Sequence, residues 1–537
     1  MSASERGGVP IRDLERQLRN ERDSALDQLP NRARSPRGRV PRAIPVSLGQ
    51  LELARAATRG MRGRADVMLG HLAISGGLVP LYSKLLERDF SRASWRELDA
   101  AGLLDLVVPY DRFRGRSRAF RISPSFRRRF LEGGLTARRL HAEGMYDLWT
   151  GRPTRRTVKR ERKTPGGNAL PALPRAAMDA IARGVVNARA LEAHLARLAQ
   201  DADVAPAGRE REAALGRYLA DLRVYQAFLT QGARPVDPAD PEGVLANVPA
   251  FRVQRFGRLG VKGGGMVNLS RAGKAAAYSG ISSVRNFDLA SSQPRILVAC
   301  LDEAGLDPGW LGTYATAPGA KGDAARAVGV DVATWKRAAY PLLMGGRAPT
   351  PAQARRSSGA IVTAIRDGVG DGDYLEAYAR FYEYTAEPRA VLDGWHRWLL
   401  DEYVPAHARR NNLDGKRYLT NAAGAKVAVE DLASPRQLWR LKGQLSAFVL
   451  QGREAALVHT LVTFGPEYGY ETVSHEHDGV VTLGEVPQEA VVRSAAAAQL
   501  PLELVELVEK PFERPVPENR EGRAGDKTLL PGVPPLF

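Results

Sequence analysis

Two aspartates stand at the ends of short apolar runs. Asp288 lies in "RNFDLASSQPRILVAC" (residues 285–300), with Gln293 and Arg295 close behind it. Asp478 lies in "YETVSHEHDGVVTL", beside Gly479, where an alternating pattern turns back through Val480, Val481 and Leu483. An acid at a strand end suits a hard divalent cation such as Mg²⁺, whose preferred ligands are oxygens. Two carboxylates on neighbouring strands can bridge two such ions about 3.5–4 Å apart, the arrangement that activates a hydroxyl and steadies a leaving pyrophosphate. The same hairpin offers His475, Glu476 and His477. A zinc centre on the two histidines would need a third and a fourth ligand, and none recurs at a recognisable spacing. Cys300 is the only cysteine, which excludes an intrachain disulfide and a Cys-rich zinc module.

Between the aspartates runs "GVDVATWKRAAYPLLMGG" (residues 329–346). Asp331 can cap a helix that Gly345 ends, with Lys336, Tyr340 and Met344 on one face at i, i+4 and i+8. Such a face suits a nucleoside triphosphate, ammonium on phosphate and ring against base or sugar. A surface lysine above a buried tyrosine leaves the same pattern.

The elements that must carry these groups belong to a long basic chain. Its 537 residues are 44% hydrophobic, enough for several packed units, and its formal charge of +18 points to a polyanionic partner, nucleic acid before anionic membrane. No apolar run reaches the roughly 18 residues of a membrane span, and the first residues lack a signal-peptide core, so a cytoplasmic location without membrane contact is expected.

The amino-terminal part reads as nucleic-acid grip. "NRARSPRGRVPR" (residues 31–42) holds five arginines and no acid, a composition for a flexible basic arm over residues 1–64. From residue 65, "ADVMLGHLAISGG", "VPLYSKLLERDF" and "SRASWRELDAAGLL" read as helices, and "LDLVVPYDRFRGRSRAFRIS" as a hairpin. Helices followed by a basic hairpin resemble a winged helix, assigned to residues 65–150. Residues 110–130 hold eight arginines against one acid, and Arg112, Arg114, Arg116, Arg118 and Arg121 are the expected phosphate contacts. A merely charged surface hairpin is the alternative. Residues 151–170 read as a linker, and residues 171–250 as long amphipathic helices, including one across 177–200 and one across 208–229. This half shows no Asp-x-Glu pair with further spaced carboxylates, which speaks against a proofreading nuclease domain.

On these motifs the chain resembles the family A (DNA polymerase I-like) DNA polymerases and, more distantly, the phage-type single-subunit RNA polymerases. "DLASSQPR" is similar to the family's Asp-Tyr-Ser-Gln-x-Glu-x-Arg at Asp288 and Arg295, with Gln293 at the glutamate position. The fingers motif falls on Lys336, Tyr340, Met344 and Gly345, and the His-Asp-Glu motif on His477, Asp478 and Gly479. "FVLQGREAALVHTL" resembles the Gln-Gly helix at Gln451, and "FGRLGVKGGGMVNLSR" the segment before the first motif, at Arg258 and Asn268.

The resemblance implies an α+β right-hand polymerase, with palm and fingers over residues 251–512 and a helical thumb-like region over 171–250. It implies two Mg²⁺ ions, with Mn²⁺ as a substitute, on Asp288 and Asp478. Lys336, Arg337, Arg295, Gln293, Tyr340 and Met344 would bind the nucleotide, and Arg258, Asn268, Gln451 and His477 the primer–template. The departures are Val332 where the family has an arginine, Met344 for a tyrosine, Gly479 for a glutamate, and Pro341 inside the helix, where a kink is expected. Gln293 is nearly isosteric with the glutamate that excludes ribonucleotides, so DNA synthesis from dNTPs is expected, and Tyr340 implies tolerance of dideoxynucleotides. RNA or primer synthesis is the first alternative, and a non-catalytic DNA-binding replication initiator the second. A small enzyme without proofreading suits a phage or plasmid in a bacterial host. The Pro/Gly-rich tail, residues 513–537, reads as disordered, and its closing "PLF" faintly resembles a sliding-clamp-binding peptide.

Overall fold

The computed structural model describes residues 44–75, 78–81, 92–108, 118–154, 171–261, 265–370, 373–412, 414–432 and 440–512. The chain is of mixed α+β class and divides into two compact units, the described parts of Met1–Thr157 with Ala188–Leu245, and of Val158–Asn187 with Ala246–Leu529. The expected span 171–250 is shared between them. Among the described residues no helix is long and apolar enough to cross a membrane.

Residues 44–64 of the expected arm carry structure in the first unit, and residues 1–43 lie outside the described residues. Helix Leu48–Ala57 begins with a capping box in which Ser47 and Gln50 satisfy each other's backbone N–H. Leu51 and Ala54 join a core with Met68, Leu69, Phe126 and Phe130, apolar area enough to hold the segment in place. Helices Ala65–Ser75 and Arg92–Ala100 accompany a three-stranded antiparallel sheet in the order Leu78–Leu81, Arg118–Ile122, Leu104–Val108. Residues 79–81, expected to begin a helix, belong instead to strand Leu78–Leu81, which pairs with Arg118–Ile122. Arg112, Arg114 and Arg116 lie outside the described residues, Arg118 opens its strand, and Arg121 is exposed. The helix expected over 177–200 is broken: Ala172–Ala180 and strand Gly184–Asn187, where Gly184 and two β-branched valines favour extension, belong to the second unit, and helix Ala188–Val204 to the first. Helix Arg209–Thr230 buries Tyr218, Leu219, Leu222, Tyr225 and Leu229 as its spacing predicts.

The second unit is built on an antiparallel sheet in the order Glu471–His475, Gly479–Leu483, Val284–Leu289, Leu507–Glu509. Against it stands helix Leu441–Phe464, buried throughout from Leu445 to Val462. Such a helix is a core element on every face, and its polar residues must be satisfied internally. Asn421 satisfies part of its surroundings, donating to the carbonyls of Phe256 (3.0 Å) and Phe448 (3.1 Å) and accepting from Ala425 N (3.0 Å).

Helix Val332–Leu343 starts on Asp331, whose carboxylate accepts from Thr334 N at 2.6 Å, and ends before Gly345 at φ +81°. It continues uninterrupted through Pro341. Trp335 anchors it, fully buried, with its indole N–H on the Tyr314 hydroxyl at 3.0 Å and its ring among Trp310, Phe381 and Tyr384.

Candidate active site

Strand register brings the two aspartates together. Asp288 is paired with Gly479 on one side and Val508 on the other, and Leu289 N donates to the Asp478 carbonyl at 2.8 Å. The two carboxyls are in hydrogen-bond contact. Burial, then the charges of Glu454 and Asp288, then that hydrogen bond, push the Asp478 carboxyl up to about 7. Asp478 therefore keeps its proton up to near neutrality, and the ammonium of Lys510 rests on Asp288 Oδ2.

Cations gather at one edge of this pair. Lys321, on helix Ala320–Val328, donates to Ser291 Oγ at 2.7 Å, three residues beyond Asp288. Its pKa is lowered by burial first, then by Lys336, Lys510 and Arg295, with Asp288 opposing. Lys336 is exposed. Arg295 donates to the Ala315 carbonyl at 3.2 Å and pairs with Glu506. Arg337 Nη2 donates to Thr334 Oγ1 at 3.2 Å on its own helix. Tyr340 faces the acids: burial, and then Tyr314, Asp478, Glu454 and Asp288, push its hydroxyl up. Met344 closes the helix, partly buried against the core.

Glu454, on the long helix and 1% exposed, receives three groups. Its Oε1 accepts from Ser292 Oγ at 2.7 Å and Gln293 Nε2 at 2.6 Å, and its Oε2 pairs with Arg258. Arg258 is thereby tied to the floor of the site, while Asn268 is exposed at the end of the short turn Met266–Asn268, and Gln451 is buried one helical turn before Glu454.

The hairpin histidines divide as follows. His475 is buried with its Nε2 on His459 Nδ1 at 3.1 Å, and His459 Nε2 meets the Gly257 carbonyl at 2.9 Å. Burial holds both rings neutral, His459 at about 4. Glu476 pairs with Lys274 at 2.7 Å, and His477 is exposed beside Asp478.

Among the described residues no group of three or more His, Cys, Asp or Glu side chains is arranged to hold a metal. A pair of carboxylates is nonetheless a donor set that a hard divalent cation accepts, since such an ion can be held by one or two carboxylates and complete its shell with phosphate and water. The proton kept on Asp478 and the ammonium set on Asp288 both mark an excess of negative charge that a divalent cation would neutralise.

Sequence reasoning missed Glu454 and Lys321. Glu454 had a faint signal, an acid inside an otherwise apolar helical run; Lys321 in "APGAKGDAARAV" had none.

No family model and no curated protein matches the chain. Among solved structures it is similar to the POL domain of Pol1 from M. smegmatis in complex with DNA primer-template and dNTP, at a TM-score of 0.37 and 15% identity, over 66% of this chain. The match spans 57% of that chain, a little over half its length.

Proposed function

We propose that this protein is a template-directed nucleotidyltransferase, a DNA-directed DNA polymerase that extends a primer without 3′–5′ proofreading. The observation that carries the reading is the contact between Asp288 and Asp478, brought by strand register beside a cluster of four cations and the Tyr340 ring. A paired acid suits two Mg²⁺ ions, and adjacent ammonium and guanidinium groups suit a triphosphate tail.

In this mechanism Asp288 and Asp478 would hold the ions, which when bound would acidify the primer 3′-hydroxyl and neutralise charge on the α-phosphate. Asp478 would give up its proton as the site fills. Lys336 and Lys321 hold the β- and γ-phosphates, with Arg295 braced behind them by Glu506. Tyr340 lies under the nucleotide, Arg258 and His477 at the primer end. No covalent enzyme intermediate is required, and the residues act by placement and charge. The basic first unit would add salt-dependent grip on the duplex.

One observation favours a second reading, synthesis from NTPs: Met344 offers no hydroxyl to support Gln293 as a sugar gate. Primer extension on a labelled primer–template with Mg²⁺ separates the readings, with dNTPs and NTPs offered apart and Asp478→Ala as control. Extension from dNTPs alone, lost in the control, is the expected result. Extension from NTPs moves the protein to RNA or primer synthesis. No extension with either, while duplex still binds, replaces the catalytic reading with that of a DNA-binding initiator.

A further inference from the structure

Resting on the polymerase reading, we infer that Glu454 is the positioning residue for sugar selection: it clamps Gln293 so that the amide stands rigid between the acid pair and Tyr340, where a ribose 2′-hydroxyl would have to fit.

The clamp follows from donor and acceptor chemistry. Glu454 is 1% exposed on a helix buried on every face, and an unpaired carboxylate there would be strongly disfavoured. It is held instead by Ser292 at 2.7 Å, Gln293 at 2.6 Å and the Arg258 guanidinium. Gln293 presents its NH₂ group to the Glu454 carboxyl, Nε2 donating to Oε1 at 2.6 Å beside the Ser292 hydroxyl and the Arg258 guanidinium. That removes the amide flip and points the carbonyl away from Glu454. Among the described residues the buried Gln293 Oε1 has no partner, although the residue is only 8% exposed.

Placement follows from the neighbours. Ser292 and Gln293 open helix Ser292–Glu303, which follows directly on the strand carrying Asp288, so the bonds from both to Glu454 set the clamped amide beside the acid end of the proposed nucleotide site, and the charge of Glu454 also reaches Asp478 and Tyr340. The sugar is what joins the phosphate end to the ring end. A glutamine free to change rotamer would yield to an added hydroxyl, whereas a clamped one refuses it sterically. Ser292 and Glu454 thus supply the restraint that Met344, with a thioether and no O–H, does not.

The test compares the ratio of kcat/KM for dNTP to that for NTP in primer extension by the full chain. Glu454→Ala should lower the ratio roughly tenfold or more, the loss expected when a hydrogen bond to a charged group is removed. Glu454→Gln, which keeps one acceptor, should lower it less. Gln293→Glu alone sets two carboxylates against each other and should also lose selectivity. Combining Gln293→Glu with Glu454→Gln returns one carboxylate and one amide to the pair, and should restore most of the wild-type ratio. Thermal melting and duplex binding show which variants are folded; if Glu454→Ala is not, the comparison of Gln293→Glu with the double variant decides. A folded Glu454→Ala enzyme with an unchanged ratio, or a double variant no better than Gln293→Glu, overturns the inference while leaving the polymerase standing. A wild-type chain that extends with neither nucleotide class sinks the reading and the inference together.

Discussion

The carboxyl of Asp478 hydrogen-bonds that of Asp288 across paired strands, and its pKa rises to about 7 as a result of burial and of neighbouring negative charge. The folded protein therefore keeps a proton that the unfolded chain, with its carboxyl near 3.8, releases earlier. The sign is fixed by that order. Without metal, this group's contribution to stability is fully present at low pH and is lost as pH rises from about 4 to about 7. Mg²⁺ must displace the proton, so its stabilising effect should be larger at about pH 8 than at about pH 5.5. Melting curves at both pH values, with and without MgCl₂, check this, and Asp478→Asn should abolish the difference. Equal Mg²⁺ shifts at the two pH values would show that the pair is not the metal site. Extension by Asp478→Ala should fall by ~10³-fold or more, the loss of several kcal/mol of charge stabilisation.

Lys321 makes the second prediction. Its ammonium is bonded only to the Ser291 hydroxyl among the described residues, faces Lys336, Lys510 and Arg295, and stands where no carboxylate neutralises it directly. A triphosphate would. Lys321→Ala should raise the nucleotide KM about tenfold, one charge-assisted hydrogen bond of ~1.5 kcal/mol, with a smaller effect on kcat. Lys321→Arg should recover part of it. Adding Val332→Arg to Lys321→Ala should also restore binding, since Val332 is exposed at the start of the Lys336 helix and can carry a cation toward the same phosphates. An unchanged KM in Lys321→Ala would remove this residue from the nucleotide site.

Asn421 allows a test of the scaffold alone. Its side chain satisfies two carbonyls and one N–H, and its amide packs where a Cβ on Gly452 would have to lie, at 2.5 Å. Asn421→Ala leaves those buried groups unpaired and should cost roughly 3 kcal/mol, read as a lower denaturation midpoint with an unchanged m-value. A variant of wild-type stability would mean that water replaces the amide without loss.

The acid pair was legible because strand ends and a glycine turn mark themselves locally, and the cap at Asp331 did the same for its helix. What stayed hidden depends on partners distant in the chain. Glu454 meets Gln293 across 161 positions, and Lys321 meets Ser291 only through packing of separate helices. Residues 79–81 read as the start of a helix, and pairing with Arg118–Ile122 makes them strand. Local pattern reports what a residue can do; register and burial select which of these it does.

Gly479 turns that lesson into the last prediction. The resemblance places a glutamate at this position, so restoring the acid would be expected to help an enzyme that had merely lost it. The strand geometry predicts the reverse. A Cβ on Gly479 would meet the Phe287 carbonyl oxygen at 2.1 Å, Asp288 Cα at 3.0 Å and Phe287 C at 3.1 Å, all backbone of the strand that carries Asp288. Backbone cannot rotate away, so the strands must spread, and Asp288 must move relative to Asp478. Gly479→Ala should therefore lose about 10²-fold in extension rate, as expected for reacting groups displaced by ~1 Å, with some 1–3 kcal/mol of stability. Gly479→Glu should be at least as poor. Gly216→Ala is the control: it lies in helix Arg209–Thr230 with no atom within 4 Å of its Cβ position, and should stabilise by about 1 kcal/mol. If Gly479→Ala extends primers at the wild-type rate, the strands can part without disturbing the chemistry, and the close pairing of Asp288 with Asp478 is not what catalysis requires.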